Sequence, residues 1–332
     1  MERANKARKF SLWGWFKSNF DQIFPYIMLL IVLIIIRIAQ PTALSGNWIA
    51  NKIEGTMILV FASMGQAFVS LLYGTDLSVA GMICLTNSLA AVIMPDSTIG
   101  IIGTVLLIML IGVVGGSLNG LMITKLRMQP WIVTLGTWQI FDGIALLILR
   151  YDGGSPAWGF TSTIMHRWGK IPVSLIFIIL LILMWQWIKR TRFGTALFAI
   201  GLDPSRAHYS GINVNRTILM VYAFSGLFAA IAGLYRTAYV NSGSPTAGDS
   251  YVLLTCCACV IGGVNASTGR GSLTGTIVGA FVLKLLTDTL LFLGLKAYWT
   301  SLIQGILLIV MVAFNQIIAI IKNKRIAEGR EV

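Results

Sequence analysis

Apolar residues in this chain gather into long blocks instead of the stripes that mark a helix lying half in water. Ten blocks can be drawn: 23–39, 55–72, 78–94, 99–123, 131–149, 172–188, 216–235, 250–265, 273–293 and 298–320. A helix needs roughly 20 mostly apolar residues to cross hydrocarbon, and most of these blocks approach that length. The third and eighth are short, and both are expected to be broken or partly re-entrant. Lipid leaves backbone groups nothing to bond to, so spans must be helices or closed barrels. The pattern therefore predicts an all-α integral membrane protein with about ten transmembrane helices.

Composition removes the soluble alternatives. The 332 residues are 56% hydrophobic and 11% charged, with a mean hydropathy of +0.82. A soluble domain carries about 25% charged residues, so this chain lacks the charges to build a water-facing surface. Its net charge of +13 would suggest nucleic acid in a soluble protein. In a membrane protein it reflects the excess of Lys and Arg in cytoplasmic segments. Arg3, Lys6, Arg8, Lys9 and Lys17 precede the first block, and Lys322, Lys324, Arg325 and Arg330 follow the last. Both termini are thus expected in the cytoplasm, which requires an even number of spans. The inner loops are then 73–77, 124–130, 189–215 and 266–272, and the inner side carries 17 of the 25 basic residues. The chain divides into a basic N-terminus (1–22), a transmembrane domain (23–320) with an inner loop at 189–215, and a basic tail (321–332). No cleavable signal peptide is expected, because the first apolar block is of full length with no small-residue cleavage site after it.

The polar inner loop 189–215 is the first place to look for function. Asp203 suits a helix N-cap, Pro204 the first helical position, and Gly211 the left-handed residue that closes a helix. They frame a helix of about two turns, which reads either as a handle for a soluble partner or as an ordinary surface helix. Ionisable residues within blocks form the second group, since each costs at least ~2.5–3.5 kcal/mol near the bilayer centre. Lys284 and Asp288 lie four apart and can pair on one helix face. Asp142 stands beside Trp138 and Gln139, a mixture of aromatic and planar polar groups that suits hydroxyl-rich solutes. Asp76 and Ser78 open the third block and can cap its helix. Gly116-Ser117-Leu118-Asn119-Gly120 and Gly271-Ser272-Leu273-Thr274-Gly275 echo each other in oppositely directed spans. Such an echo suits an inverted repeat, or simply two small-residue packing faces.

Enzyme chemistry finds little support. His166 and His208 are far apart and expected on opposite sides of the membrane. Gly262 to Ser272 resembles a phosphate loop but lacks the Gly-Lys-Ser/Thr ending. Cys84, Cys256, Cys257 and Cys259 lie in apolar blocks without zinc or disulfide spacing, so no metal site is expected. If ATP drives this protein, another chain binds it.

Taken in order, several motifs resemble the permease family of ribose, xylose, galactose and related sugar importers, over roughly residues 50–315. They are Gly74-Thr75-Asp76-Leu77-Ser78-Val79, Asn119 to Arg127, Ile132-Val133-Thr134-Leu135-Gly136-Thr137, Thr191-Arg192-Phe193-Gly194 with Ala199-Ile200-Gly201, Ser210-Gly211-Ile212, Ser225-Gly226, Ala232-Gly233-Leu234, and Val260-Ile261-Gly262-Gly263 with Gly271-Ser272. The sequence departs from the family pattern at Thr75, where Ile is usual, and at Tyr251 to Cys257, where acidic residues are usual. The resemblance implies a multi-pass protein of a prokaryotic inner membrane, without a cofactor of its own. Two cytoplasmic ATPases would bind ATP and Mg²⁺, beside a second permease copy or paralogue and an extracytoplasmic sugar-binding protein. Surrounding lipid is expected and nucleic acid is not. ATPase coupling is expected at Phe193, Gly194, Asp203, Pro204, Ser205, Arg206, Tyr209 and Gly211. A translocation pathway is expected at Asp76, Ser78, Asn119, Thr134, Trp138, Gln139 and Asp142. The competing expectation is an ion-coupled secondary transporter of a small polar solute, which would need Asp142 to titrate.

Overall fold

A computed structural model describes residues 20–264, 269 and 271–294, with positions 299, 302, 305, 306, 309 and 313. Most of the N-terminal segment 1–22, the basic tail, nearly all of the tenth block and the stretch 265–268 with Arg270 lie outside the described residues. Twelve helices are described: α1 (Phe20–Ala39), α2 (Gly46–Ser70), α3 (Ser78–Ile93), α4 (Thr98–Lys125), α5 (Pro130–Ile148), α6 (Trp158–Ile164), α7 (Ser174–Ile188), α8 (Arg192–Leu202), α9 (Pro204–Tyr209), α10 (Val214–Val240), α11 (Tyr251–Ile261) and α12 (Leu273–Phe292). A two-residue antiparallel hairpin, β1 (Arg167–Trp168) and β2 (Ile171–Pro172), joins α6 to α7.

Five helices (α2, α4, α5, α10 and α12) are long and apolar enough to cross a membrane. A sixth span results if α7 and α8, bent by 76° at their junction, are taken as one. Residues 23–39, α3 and α11 are shorter apolar helices. The first seven blocks and the ninth each coincide with a helix, α2 starting nine residues before its block. The eighth block does not hold a full helix. α11 has 11 residues, and the chain reaches it through the non-helical segment 241–250.

Local sequence accounts for the helix ends. Ser45, Ser97 and Asn213 accept amide hydrogens from Trp48, Gly100 and Arg216 in the first turns of α2, α4 and α10, satisfying donors that have no intrahelical partner. Pro130 opens α5. Asn241, at a left-handed φ of 55°, closes α10.

α2 and α10 form the centre. α2 is buried from Thr56 to Ser70, and α10 packs on α2, α3 and α4. Glycine allows these approaches. A Cβ at Gly116 would fall on the Tyr222 carbonyl, one at Gly226 on the Gly112 carbonyl, and one at Gly65 against the Ser225 backbone. Helices without a hydrophobic drive between them associate through such close packing. Leu106, Leu110 and Leu118 of α4 and Ile179 and Leu183 of α7 are exposed, giving the apolar perimeter that a bilayer covers.

Polar contacts gather the connecting segments into two ends. At one, Arg167 Nε donates to Glu54 Oε1 at 2.7 Å, and its Nη2 reaches Glu54 Oε2 and Asn51. There too Trp158 donates its amide to Asp96, and Gly153 bridges Gly243. At the other, Trp185 Nε1 donates to Ser272 Oγ at 3.3 Å, and Gly201 sits against Leu71 and Gly269. Lys284 and Asp288 pair at 3.0 Å as their spacing predicts, and Lys52 joins them at 2.7 Å.

Candidate functional site

The end bearing α8 and α9 presents a rigid projection. Thr191 caps α8 by accepting from Gly194 N at 3.2 Å. Gly194 is packed onto the Ile188 carbonyl, where no Cβ fits. Phe193 lies 5.5 Å from Phe224 and 6.4 Å from Phe68, centroid to centroid. These two residues therefore seat the projection on α2 and α10 and are not its exposed tip. The tip is α9. Asp203 Oδ1 accepts from Ser205 N at 2.9 Å and Arg206 N at 3.0 Å, Pro204 occupies the first turn, and Gly211 has φ +82°. The capped helix expected between Asp203 and Gly211 is present. Ser205, Arg206 and Tyr209 point outward, Tyr209 at 88% exposure. A shallow groove of about 690 Å³ runs beside them, lined by Pro204, His208, Tyr209 and Ile212 among others. The preceding helix α8 has no counterpart in the apolar pattern. Its one sequence signal is Thr191, a capping residue three positions before Gly194.

The residues expected in a pathway fall into two groups. Asp76, Ser78, Asn119 and Thr134 are all buried within the protomer. Asp76 occupies the break between α2 and α3, where its Oδ1 accepts from Ser78 N (2.9 Å) and Ser78 Oγ (2.6 Å), and its Oδ2 from Ser225 Oγ (2.6 Å). Asn119 Nδ2 donates to Ser78 Oγ at 2.8 Å. Thr134 Oγ1 lies 3.4 Å from the Thr75 carbonyl.

Trp138, Gln139 and Asp142 form the second group, on α5. Gln139 is exposed, and Gly136 and Gly143 have open space where a Cβ would stand. Asp142 is half-buried. One of its oxygens and the Trp138 indole nitrogen are shielded from solvent without a hydrogen-bond partner. Ligand atoms of Cys84, Asp142 and Asp249 all lie within 4.8 Å of one another, a spacing compact enough for one cation. Asp249 arrives there because segment 241–250 runs back along α3. Asn87 receives Ser244 N at 2.7 Å and donates to Thr237 and to the Ser242 carbonyl, while Gly248 N donates to Cys84 Sγ at 3.1 Å. Asp249 was not expected at the site. It stands one residue before the eighth block, and only the backward course of a non-helical segment brings it to α5.

Comparison with known proteins gives these elements a context. The family model described as "Branched-chain amino acid transport system / permease component" matches residues 49–312. The chain is 33% identical over 312 residues to the galactose/methyl galactoside import permease protein of Escherichia coli K12, covering 88% of this chain and 93% of that one. It is 33% identical over 308 residues to the ribose import permease protein of Bacillus subtilis 168, covering 91% and 94%. The E. coli K12 ribose import permease protein is 30% identical over 296 residues, covering 86% and 91%. No solved structure gives a significant match. A family match across most of the chain, on a helical bundle with a capped projection at one end, establishes that this protein belongs to the permease components of ABC importers, among the ribose and galactose import permeases.

Proposed function

We propose that this chain is the membrane-spanning subunit of an ATP-driven importer for a sugar or sugar-like solute. The observation that carries the reading is its alignment, over nearly full length, with permeases named for ribose and galactose import. The chain is a multi-pass inner-membrane protein and a transporter component, not an enzyme. In the complete importer two ATPase subunits bind ATP and Mg²⁺ at the end bearing α9, which is the cytoplasmic end. An extracytoplasmic binding protein delivers solute to the other end. A second permease, a copy or a paralogue, completes the pathway. The full count is about ten spans, with both termini cytoplasmic. The glycine motifs in α4 and α12 support an inverted repeat. Gly116 and Gly120 pack α4 on α10, and Gly275 and Gly279 pack α12 on α11.

Phe193 and Gly194 seat the coupling element, Asp203, Pro204 and Gly211 shape it, and Ser205, Arg206 and Tyr209 touch the ATPase. Solute passes the open face of α5, where Trp138, Gln139 and Asp142 meet Asp249. Carboxylates and a free indole N–H suit the hydroxyls of a sugar, and an aromatic plane suits its C–H face. Asp76, Ser78, Asn119 and Thr134 support this route from within the protomer.

Reconstitution into proteoliposomes tests the assignment. Solute uptake should require ATP, the ATPases and the binding protein together. Uptake by the chain alone, driven by a proton or sodium gradient, would replace the importer reading with that of a secondary transporter.

A further inference from the structure

The break at 71–77 holds the most deeply buried carboxylate among the described residues. Asp76 is 1% exposed, and its carboxylate meets the first turn of α3 at Ser78 and the middle of α10 at Ser225. Ser78 carries the network to α4 through Asn119, and the Thr75 carbonyl carries it to α5 through Thr134. Gln66 of α2 accepts the Asp76 amide at 3.3 Å. Five helices therefore meet in one network around Asp76, α2, α3 and α10 directly and α4 and α5 through Ser78 and Thr75. The hydroxyls of Ser78 and Ser225 each donate to a carboxylate oxygen held away from solvent, and removing one leaves a buried acceptor empty.

The position matters as much as the strength. α9 packs chiefly on α8, which rests on α10 through Phe193 and Phe224, and four residues join α9 to α10, so a push on the coupling helix has a packed and a covalent route into α10. Ser225 lies 11 residues along that helix. From Asp76 the chain continues into α3, which eight residues later places Cys84 beside Asp142 of α5 and Asp249. We infer that Asp76 is a positioning residue that ties α3 and α5 to α10, so that movement of the coupling helix reaches the face of α5 along which solute passes. This rests on the permease reading above. It assigns Asp76 a task inside the protomer, without contact to solute or nucleotide.

The test uses the complete importer in proteoliposomes, reading solute taken up per ATP hydrolysed. Asp76→Asn leaves the shape and replaces one accepting oxygen with a donating nitrogen. Ser225→Ala cuts the tie to α10 and leaves Asp76 bonded to Ser78. Each should lower the uptake-to-hydrolysis ratio about fivefold or more, the scale of a coupling between distant sites, while the ATPases still co-purify and hydrolyse ATP. The two act on one bond, so the double variant should be no worse than Asp76→Asn alone. An unchanged ratio in Ser225→Ala overturns the inference, as do single-variant losses that multiply in the double variant. If Asp76→Asn fails to assemble, Ser225→Ala decides by the same ratio. A wild-type chain that transports without ATPase would instead sink the permease reading, a separate outcome read on a separate sample.

Discussion

Asp142 and Arg167 are both ionisable residues that contact apolar helices, and their surroundings separate their roles. Arg167 donates to Glu54 and Asn51, and Glu54 is 5% exposed. Arg167→Ala would strand that carboxylate at a cost of about 2 kcal/mol, the range for a hydrogen-bonded charge, and should lower the thermal midpoint in detergent. The hydrogen bonds that Arg167 donates to Glu54 raise its pKa above the ordinary value. A raised basic group contributes stability that is full below its unfolded pKa and is lost only as pH rises through the folded one. The Arg167 contribution should therefore stay constant from neutral pH to pH values near 10, checked by comparing the midpoints of wild type and variant across that range. Asp142 has an oxygen without a partner. Asp142→Asn should leave assembly intact and reduce uptake about tenfold, the worth of one charge-assisted hydrogen bond of about 1.5 kcal/mol. Wild-type uptake would move Asp142 out of the pathway. The sequence singled out Asp142 because an acid in an apolar block stands out. It did not reveal Asp249, whose place depends on a backbone course that no hydropathy pattern encodes.

Glycines distinguish the helix faces that pack within the protomer from those left open. Gly116 and Gly226 have no room for a Cβ, whereas Gly136 and Gly143 of α5 have empty space around them. Gly116→Val should abolish the folded protein, since it drives a side chain into the α10 backbone, and size-exclusion chromatography in detergent would show the loss. Gly143→Trp should leave the protomer folded. If α5 faces a second permease across the pathway, the same variant should lower the dimer fraction in cross-linking. A fully dimeric, fully active variant would place the partner elsewhere. Helices α1, α2, α4, α5, α7, α10 and α12 were legible because each occupies an apolar block, whereas α3, expected to be broken, is an unbroken helix of 16 residues. α11 was harder to delimit, because its block mixes a half-length helix with a turn at Gly262 and Gly263. The hairpin at Arg167–Pro172 was not legible. Two residues per strand leave no alternation to read, and its hold on α2 comes from Arg167 reaching Glu54, 113 positions away.

At the scale of the molecule, the connections between the helices sort to two ends. One end gathers 149–173 and 241–243 around Glu54 and Asp96. The other gathers the break at 71–77, segment 189–213 and the start of α12. This sorting is internal to the fold and does not depend on charge. The basic residues give it a direction, because Lys125, Arg127, Lys189, Arg190, Arg192, Arg206 and Arg216 all fall on the second end, and Lys and Arg collect on the cytoplasmic side. The two arguments join in one measurement. Tyr209 is 88% exposed at the tip of α9 and Trp158 is 78% exposed at the opposite end, while Cys84, Cys257 and Cys259 are buried and Cys256 is mostly so, which keeps background labelling low. A membrane-impermeant maleimide should modify Tyr209→Cys in inside-out vesicles and Trp158→Cys in right-side-out vesicles, and neither in the reverse preparation. Labelling of Tyr209→Cys from outside would invert the molecule, put α9 beyond the reach of any cytoplasmic ATPase, and leave the importer without its drive.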